Sequence, residues 1–159
     1  MFTLRCTAKL RRRLGTTEET ETTSPSTRLG DWYAHLLFTH PQLVLCVSER
    51  TLLPVLIPAR DGSLLVPRLR EAVGQMLRAL RVAEAALAAE DDAMMEARIG
   101  KTVSRQVLGS MNDFVRMLDS YRGAGSLLEV SLRLAETPCG PLRMNSPRHE
   151  TIRVFALPD

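Results

Sequence analysis

Aromatic residues are scarce in this chain, at 4% of 159 residues, with a single tryptophan, Trp32. The core must therefore be built from Leu, Val, Ala and Met. Lysine is nearly absent, with Lys9 and Lys101 against nineteen arginines, a bias of GC-rich coding rather than of function. The three cysteines, Cys6, Cys46 and Cys139, are an odd and widely spaced set without a Cys-x-x-Cys pair, which excludes a zinc ribbon or a redox dithiol and leaves reduced thiols. No apolar run reaches the length of a membrane span, and the Met-Phe-Thr-Leu-Arg-Cys start has no signal-peptide character. A cytoplasmic location with no membrane partner is expected. No Gly-x-Ser-x-Gly elbow, His-Glu-x-x-His pair or glycine-rich dinucleotide fingerprint occurs. His35, His40 and His149 have no metal-ligand spacing, so neither metal nor cofactor is expected.

The chain has the length of one domain over residues 1–159 and an ordinary charged fraction of 25%. Its net charge of +3 is uneven. Arg5, Lys9, Arg11, Arg12 and Arg13 crowd the N-terminus, followed at once by Glu18, Glu19 and Glu21. Residues at about 15–28 are almost all Thr, Glu, Ser and Pro, with nothing to bury, and read as a mobile loop.

The pattern predicts an α+β fold. Phe2–Cys6 alternates as a strand, and Thr7 can cap a helix running to Gly15. Tyr33–Thr39 and Leu43–Val47 flank His40-Pro41-Gln42 as a hairpin, and Leu52–Ile57 contains Pro54, which confines it to an edge. Leu69, Val73, Met76, Leu77 and Leu80 recur at helical spacing, and a second, Ala-rich helix is expected over Glu84–Glu96. A third helix carries Val107, Met111, Phe114 and Leu118 with Ser104 as its cap. A fourth opens on the capping box Ser126-Leu-Leu-Glu129. Thr151–Leu157 alternates and reads as one more strand. The expected architecture is a small antiparallel sheet of N-terminal strand, hairpin and edge strand, covered on one face by the C-terminal amphipathic helices.

Gly100-Lys101-Thr102 matches the tail of a phosphate loop, but the position of the first glycine is Met95, so the nucleotide reading fails. Lys101, Thr102, Ser104 and Arg105 still lie before a helix start, where free N–H groups attract anions. Asn112 and Asp113 fall on the polar side of the same helix beside Gly109, whose missing side chain suits a close packing contact or a groove. Trp32 suits either the core or a ligand stack.

"FTLRCTAKL", "GDWYAHLLF", "LVLCVSERTLLPVLIPA", "SRQVLGSMNDF" and "LAETPCGPL" together resemble a family of bacterial proteins classed as a domain of unknown function. The resemblance covers nearly the whole chain apart from the loop after Gly15, and its most specific piece is Leu108-Gly-Ser-Met-Asn-Asp-Phe114. It implies one domain and no catalytic residue. If the shared segments mark a site, Trp32, Arg105, Asn112 and Asp113 are its aromatic and polar members.

With a full set of core elements and no catalytic constellation, the leading expectation is a non-catalytic binding module for a protein or an anionic ligand. The alternative is an enzyme acting on a phosphorylated small molecule, with Lys101 and Arg105 on the phosphate and Asp113 or His35 moving the proton. A third reading has Arg11, Arg12 and Arg13 contacting nucleic acid. The neutral remainder of the chain, the adjacent glutamates and the lack of aromatic residues near the arginines all weigh against it.

Overall fold

The computed structural model describes residues 1–16, 23–121, 123 and 125–158. Five strands, β1 (Phe2–Cys6), β2 (Trp32–Leu37), β3 (Leu43–Ser48), β4 (Pro54–Pro58) and β5 (Ala97–Lys101), form one sheet in the order β4-β3-β2-β1-β5. Six helices accompany it: α1 (Ala8–Leu14), α2 (Leu65–Ala79), α3 (Glu84–Ala93), α4 (Arg105–Tyr121), α5 (Leu127–Leu134) and α6 (Pro147–Ala156). The fold is α+β. Two short 3₁₀ turns, Gly62–Leu64 and Gly140–Leu142, precede α2 and α6.

The sheet departs from the expected antiparallel one. β2, β3 and β4 pair antiparallel, but β1 lies parallel to both β2 and β5. The fifth strand follows directly on the expected end of the Ala-rich helix at Glu96 and takes in the first two residues of Gly-Lys-Thr. It is short, holds one β-branched residue, and contains Gly100, so no local signal marks it as a strand. Tertiary packing requires that glycine: a Cβ there would sit 2.9 Å from Thr3 Cγ2 on the neighbouring strand. α3 accordingly stops at Ala93. The expected strand over Thr151–Leu157 is helix α6 instead. Its start is encoded upstream, where Ser146 accepts the His149 N–H at 3.1 Å and Pro147 occupies the first turn. The alternation further along is only a narrow buried stripe, with Thr151 inside.

Both faces of the sheet are covered, not one. Phe2, Leu4, Cys6, Trp32, Ala34, Leu36, Val44, Cys46, Val55 and Ile57 meet Leu10 of α1, five residues of α2 and Leu87 of α3. On the other face Tyr33, Leu37, Leu45, Val47 and Leu56 meet Val107, Met111 and Phe114 of α4 and Val130 and Leu134 of α5. Strands buried on both sides read as continuous apolar runs, as in Leu43–Val47. Helix α5 straddles the β4 edge, since Leu128 and Leu132 pack with the first cluster while Val130 and Leu134 belong to the second. Its capping box forms as expected, with Ser126 Oγ accepting from Glu129 N–H at 3.1 Å.

The β4 edge has no spare donors. Ala59 N–H donates to Gln42 C=O, and Ser48 N–H to Leu53 C=O, which turns the odd-numbered residues of β4 toward β3 and the even-numbered ones outward. Two of those are Pro54 and Pro58, which have no N–H, and the third, Leu56, donates to Ser131 Oγ of α5 at 3.0 Å. The edge is thereby closed to further strand pairing.

A second set of buried polar bonds fixes the entry to β2. Glu90 of α3, 3% exposed, accepts from Arg28 N–H at 2.7 Å and Leu29 N–H at 3.1 Å. Asp31 Oδ1 accepts from Thr3 N–H at 2.9 Å, and its other oxygen pairs with Arg5 Nε at 3.2 Å. Residues 17–22, the centre of the loop expected to be mobile, lie outside the described residues. At its C-terminal side Ser26 N–H donates to Met1 C=O, and Thr27 Oγ1 donates to Gly30 C=O at 2.6 Å.

Two outcomes follow from these bonds. Ser131→Ala strands the buried Leu56 N–H and should cost about 1–3 kcal/mol in urea unfolding; an unchanged midpoint would show that the edge does not depend on it. Burial raises the Glu90 carboxyl above its ordinary 4.5, opposed by the two backbone bonds and by Arg28 and Arg50. A group raised on folding adds stability that is full below its unfolded value and declines as pH climbs through the folded one. Glu90→Gln should remove this decline above pH 4.5, read from unfolding midpoints across a pH series.

Candidate functional site

The sequence-derived candidates scatter over the molecule. Trp32 is fully buried, on the α2 face of β2, and its Nε1–H has no hydrogen-bond partner among the described residues. It is a core residue. Lys101 closes the outer strand β5 and is exposed. Arg105 opens α4, and Asn112 and Asp113 follow on the same exposed side of that helix, with Asp113 ion-paired to Arg116. Gly109 shares this side, and nothing lies within 4 Å of where its Cβ would be, which corrects the expectation of a packing contact there. The Leu108–Phe114 segment divides between the two sides of α4: Met111 and Phe114 enter the core and Gly109, Asn112 and Asp113 face outward. Ser104 does cap the helix, accepting from Val107 N–H at 3.3 Å, and its own N–H donates to the buried Tyr33 hydroxyl at 3.0 Å.

The residues assigned to phosphate chemistry do not share a face. Lys101 stands in register with Cys6 across β1, on the α2 face of the sheet, whereas His35 lies on the opposite face with Tyr33 and Leu37. His35 Nδ1 is 3.0 Å from Thr7 Oγ1. Burial, then Lys9, holds its pKa below 6.5, so the ring is neutral at pH 7. The thiols are equally unreactive in character. All three cysteines are free and buried; burial pushes Cys6 up to about 12 and raises Cys46 and Cys139 as well. A thiol that does not ionise is a poor nucleophile. Among the described residues no group of three His, Cys, Asp or Glu side chains could hold a metal, and no helix is long and apolar enough to cross a membrane.

The basic cluster is split by α1. Arg11 is half-buried, Arg12 is exposed, and Arg13 reaches the β2–β3 turn, where its Nη1 donates to Gln42 Oε1 at 2.7 Å. That turn carries a cis His40–Pro41 peptide. Beside it opens a groove of about 870 Å³, between the turn, the end of β4, the C-terminal part of α4 and the start of α5. Leu37, Leu43, Leu56, Leu118, Leu127 and Val130 give it apolar walls, with Tyr121 and the 62% exposed Phe38 at its mouth. Arg13 and Arg60 stand on its rim, and no Asp or Glu occurs among its described lining residues. Lys9 Nζ lies 5.4 Å from the Phe38 ring centroid, adding a third cation nearby. A smaller cleft of about 240 Å³ between β4, α2 and α5 has mixed charge, with both Arg68 and Glu71 in its lining.

None of Trp32, Lys101, Arg105, Asn112 and Asp113 lines the groove. Its residues come from four separated segments that carry no motif, and Arg13 stands out in the sequence only as part of the N-terminal basic cluster. The arrangement offers an apolar slot with positive charge at its mouth, the form of a binding site for an amphipathic anion.

The structure is thus an α+β fold with a cationic-rimmed groove beside the β2–β3 turn. The chain belongs to the family described as Domain of unknown function (DUF6933), whose model matches residues 3–150. No curated protein and no solved structure matches the chain.

The thiol chemistry is directly testable. Cys6 and Cys46 should resist alkylation by iodoacetamide in the native protein while reacting fully in denaturant, as read by intact mass. Labelling of either in the folded state would contradict their burial.

Proposed function

We propose that the domain is a non-catalytic binding module and that its groove at the β2–β3 turn takes a ligand with an apolar body and an anionic end. The observation that carries this reading is the charge asymmetry of the groove: Arg13 and Arg60 on the rim, with no carboxylate among the described lining residues, over walls of leucine and valine. Neither arginine has an acidic partner among the described residues. Arg13 is held by a neutral amide, Gln42, which orients the guanidinium without cancelling its charge. A carboxylate or phosphate at the mouth would gain charge-assisted hydrogen bonds, and an acyl or aryl body would bury apolar surface already walled by protein. Residue types, not a reaction centre, define this site.

Calorimetry with a panel of medium-chain carboxylates, aryl phosphates and the matching neutral alcohols tests the reading. Anionic members should bind and the alcohols should not. Arg13→Glu and Arg60→Glu should each weaken binding roughly ten-fold or more, from the loss of a charge-assisted bond. Arg105→Glu, on the far side of α4, should leave it unchanged. Equal affinity for the acids and the alcohols, or indifference to both rim substitutions, would overturn the proposal, and turnover of any panel member would remove its non-catalytic part.

A further inference from the structure

The groove and the smaller cleft of about 240 Å³ share a boundary at the β4 edge: Leu56, Pro58 and Leu127 line both. Helix α5 crosses the edge at this point, with Leu127 packed toward the α4 face and Leu128 toward the α2 face. Pro58, Leu127 and Leu128 are half-buried, which leaves apolar surface accessible along the crossing. The cleft is walled by core on its inner side, where Val55, Ile57 and Met76 are at most 2% exposed. Its polar groups offer no second anion site. Arg68 Nη1 donates to the carbonyls of Pro58 and Asp61, both at 3.4 Å, and of Arg60, which ties the guanidinium to the backbone at the end of β4. Ser131 Oγ accepts from Leu56 N–H and donates to Leu127 C=O at 2.7 Å. Glu71 is exposed in the lining of the cleft and repels negative charge. Cations thus stand at one end of an apolar path and a carboxylate at the other.

From this arrangement we infer that the cleft is the tail subsite of the groove, and that the ligand is a long-chain acyl carboxylate. The inference rests on the reading of the groove as a site for an apolar body with an anionic end. The carboxylate lies at Arg13 and Arg60, and the chain runs along the leucine walls. It crosses the β4 edge between Pro58 and Leu127 and ends on Val55, Ile57 and Met76. Two features choose this class. The groove volume of about 870 Å³ is large for a ligand pocket, so a medium-length chain fills only part of it. A flexible chain also follows a path that bends round a sheet edge, whereas a rigid fused-ring body does not. Charge sets the direction. A reversed ligand would place its carboxylate beside Glu71 and its methyl end among arginines, and a ligand with a second carboxylate at its far end meets the same repulsion.

Calorimetry of the full chain with straight-chain acids from octanoate to hexadecanoate, each below its micelle concentration, tests this. Each buried methylene should tighten binding about four-fold, and the gain should continue up to hexadecanoate. Ala72→Phe, which fills the cleft, should leave octanoate as in wild type and weaken hexadecanoate roughly ten-fold or more, the loss of about two buried methylenes. Ala72 also packs against the core, so a second variant uses the exposed Glu71. Hexadecanedioate should bind wild type more weakly than hexadecanoate, and Glu71→Lys should reverse that order. If circular dichroism shows Ala72→Phe to be unfolded, the order in Glu71→Lys decides alone. Three results would each overturn the tail subsite and leave the groove reading standing: octanoate binding with no gain for longer acids, hexadecanoate binding to a folded Ala72→Phe as to wild type, or a Glu71→Lys variant that still disfavours the dioate. Failure of every acid to bind overturns both.

Discussion

Much else in this molecule follows from a sheet whose strands β2, β3 and β4 are apolar on both faces. With α1, α2 and α3 on one side and α4 and α5 on the other, the apolar residues of β2, β3 and β4 are buried on both faces. One edge is closed by prolines and a serine, and one strand end carries the cationic groove.

That burial demands partners for each polar group it encloses, since an unpaired buried donor costs more than a typical hydrogen bond returns. The chain meets the demand with side chains remote in sequence. Ser131 reaches Leu56, Glu90 reaches Arg28 and Leu29, and Asp31 reaches Thr3 and Arg5. Each bond ties a helix or strand to a segment at least twenty-five residues away, so the same groups that relieve desolvation also fix the topology. The Trp32 indole is an exception among the described residues.

Arginine is abundant in the chain, and its placement matters more than its number. Arg5, Arg70 and Arg116 are neutralised by Asp31, Asp91 and Asp113. Arg13 and Arg60 meet no carboxylate among the described residues of their groove. The exposed side of α4, where Arg105, Asn112 and Asp113 stand, carries charge of both signs on an exposed helix surface. An enclosed apolar slot raises the value of a nearby charge because water is displaced from around it. This is why the groove, and not the more recognisable Leu108–Phe114 segment, is the favoured site.

Local periodicity and capping determined much of the secondary structure. The alternation of Phe2–Cys6, the hairpin about His40-Pro41, the edge character imposed by Pro54, the amphipathic faces of α2 and α4, and the Ser126–Glu129 capping box all act within a few residues, and the free cysteines follow from their spacing. The family resemblance was likewise legible. Tertiary structure alone decided the direction of β1, the existence of β5 and the covering of the second face, whereas α6 starts from a local cap, Ser146 before Pro147, that the alternation further along conceals. Parallel pairing is set by what lies across a long connection, and Gly100 is required by a Thr3 side chain nearly a hundred residues away. The groove was hidden for the same reason. Arg13, Leu43, Arg60, Tyr121 and Val130 form no pattern along the chain, because a cavity is defined by the surfaces of elements that meet only after folding.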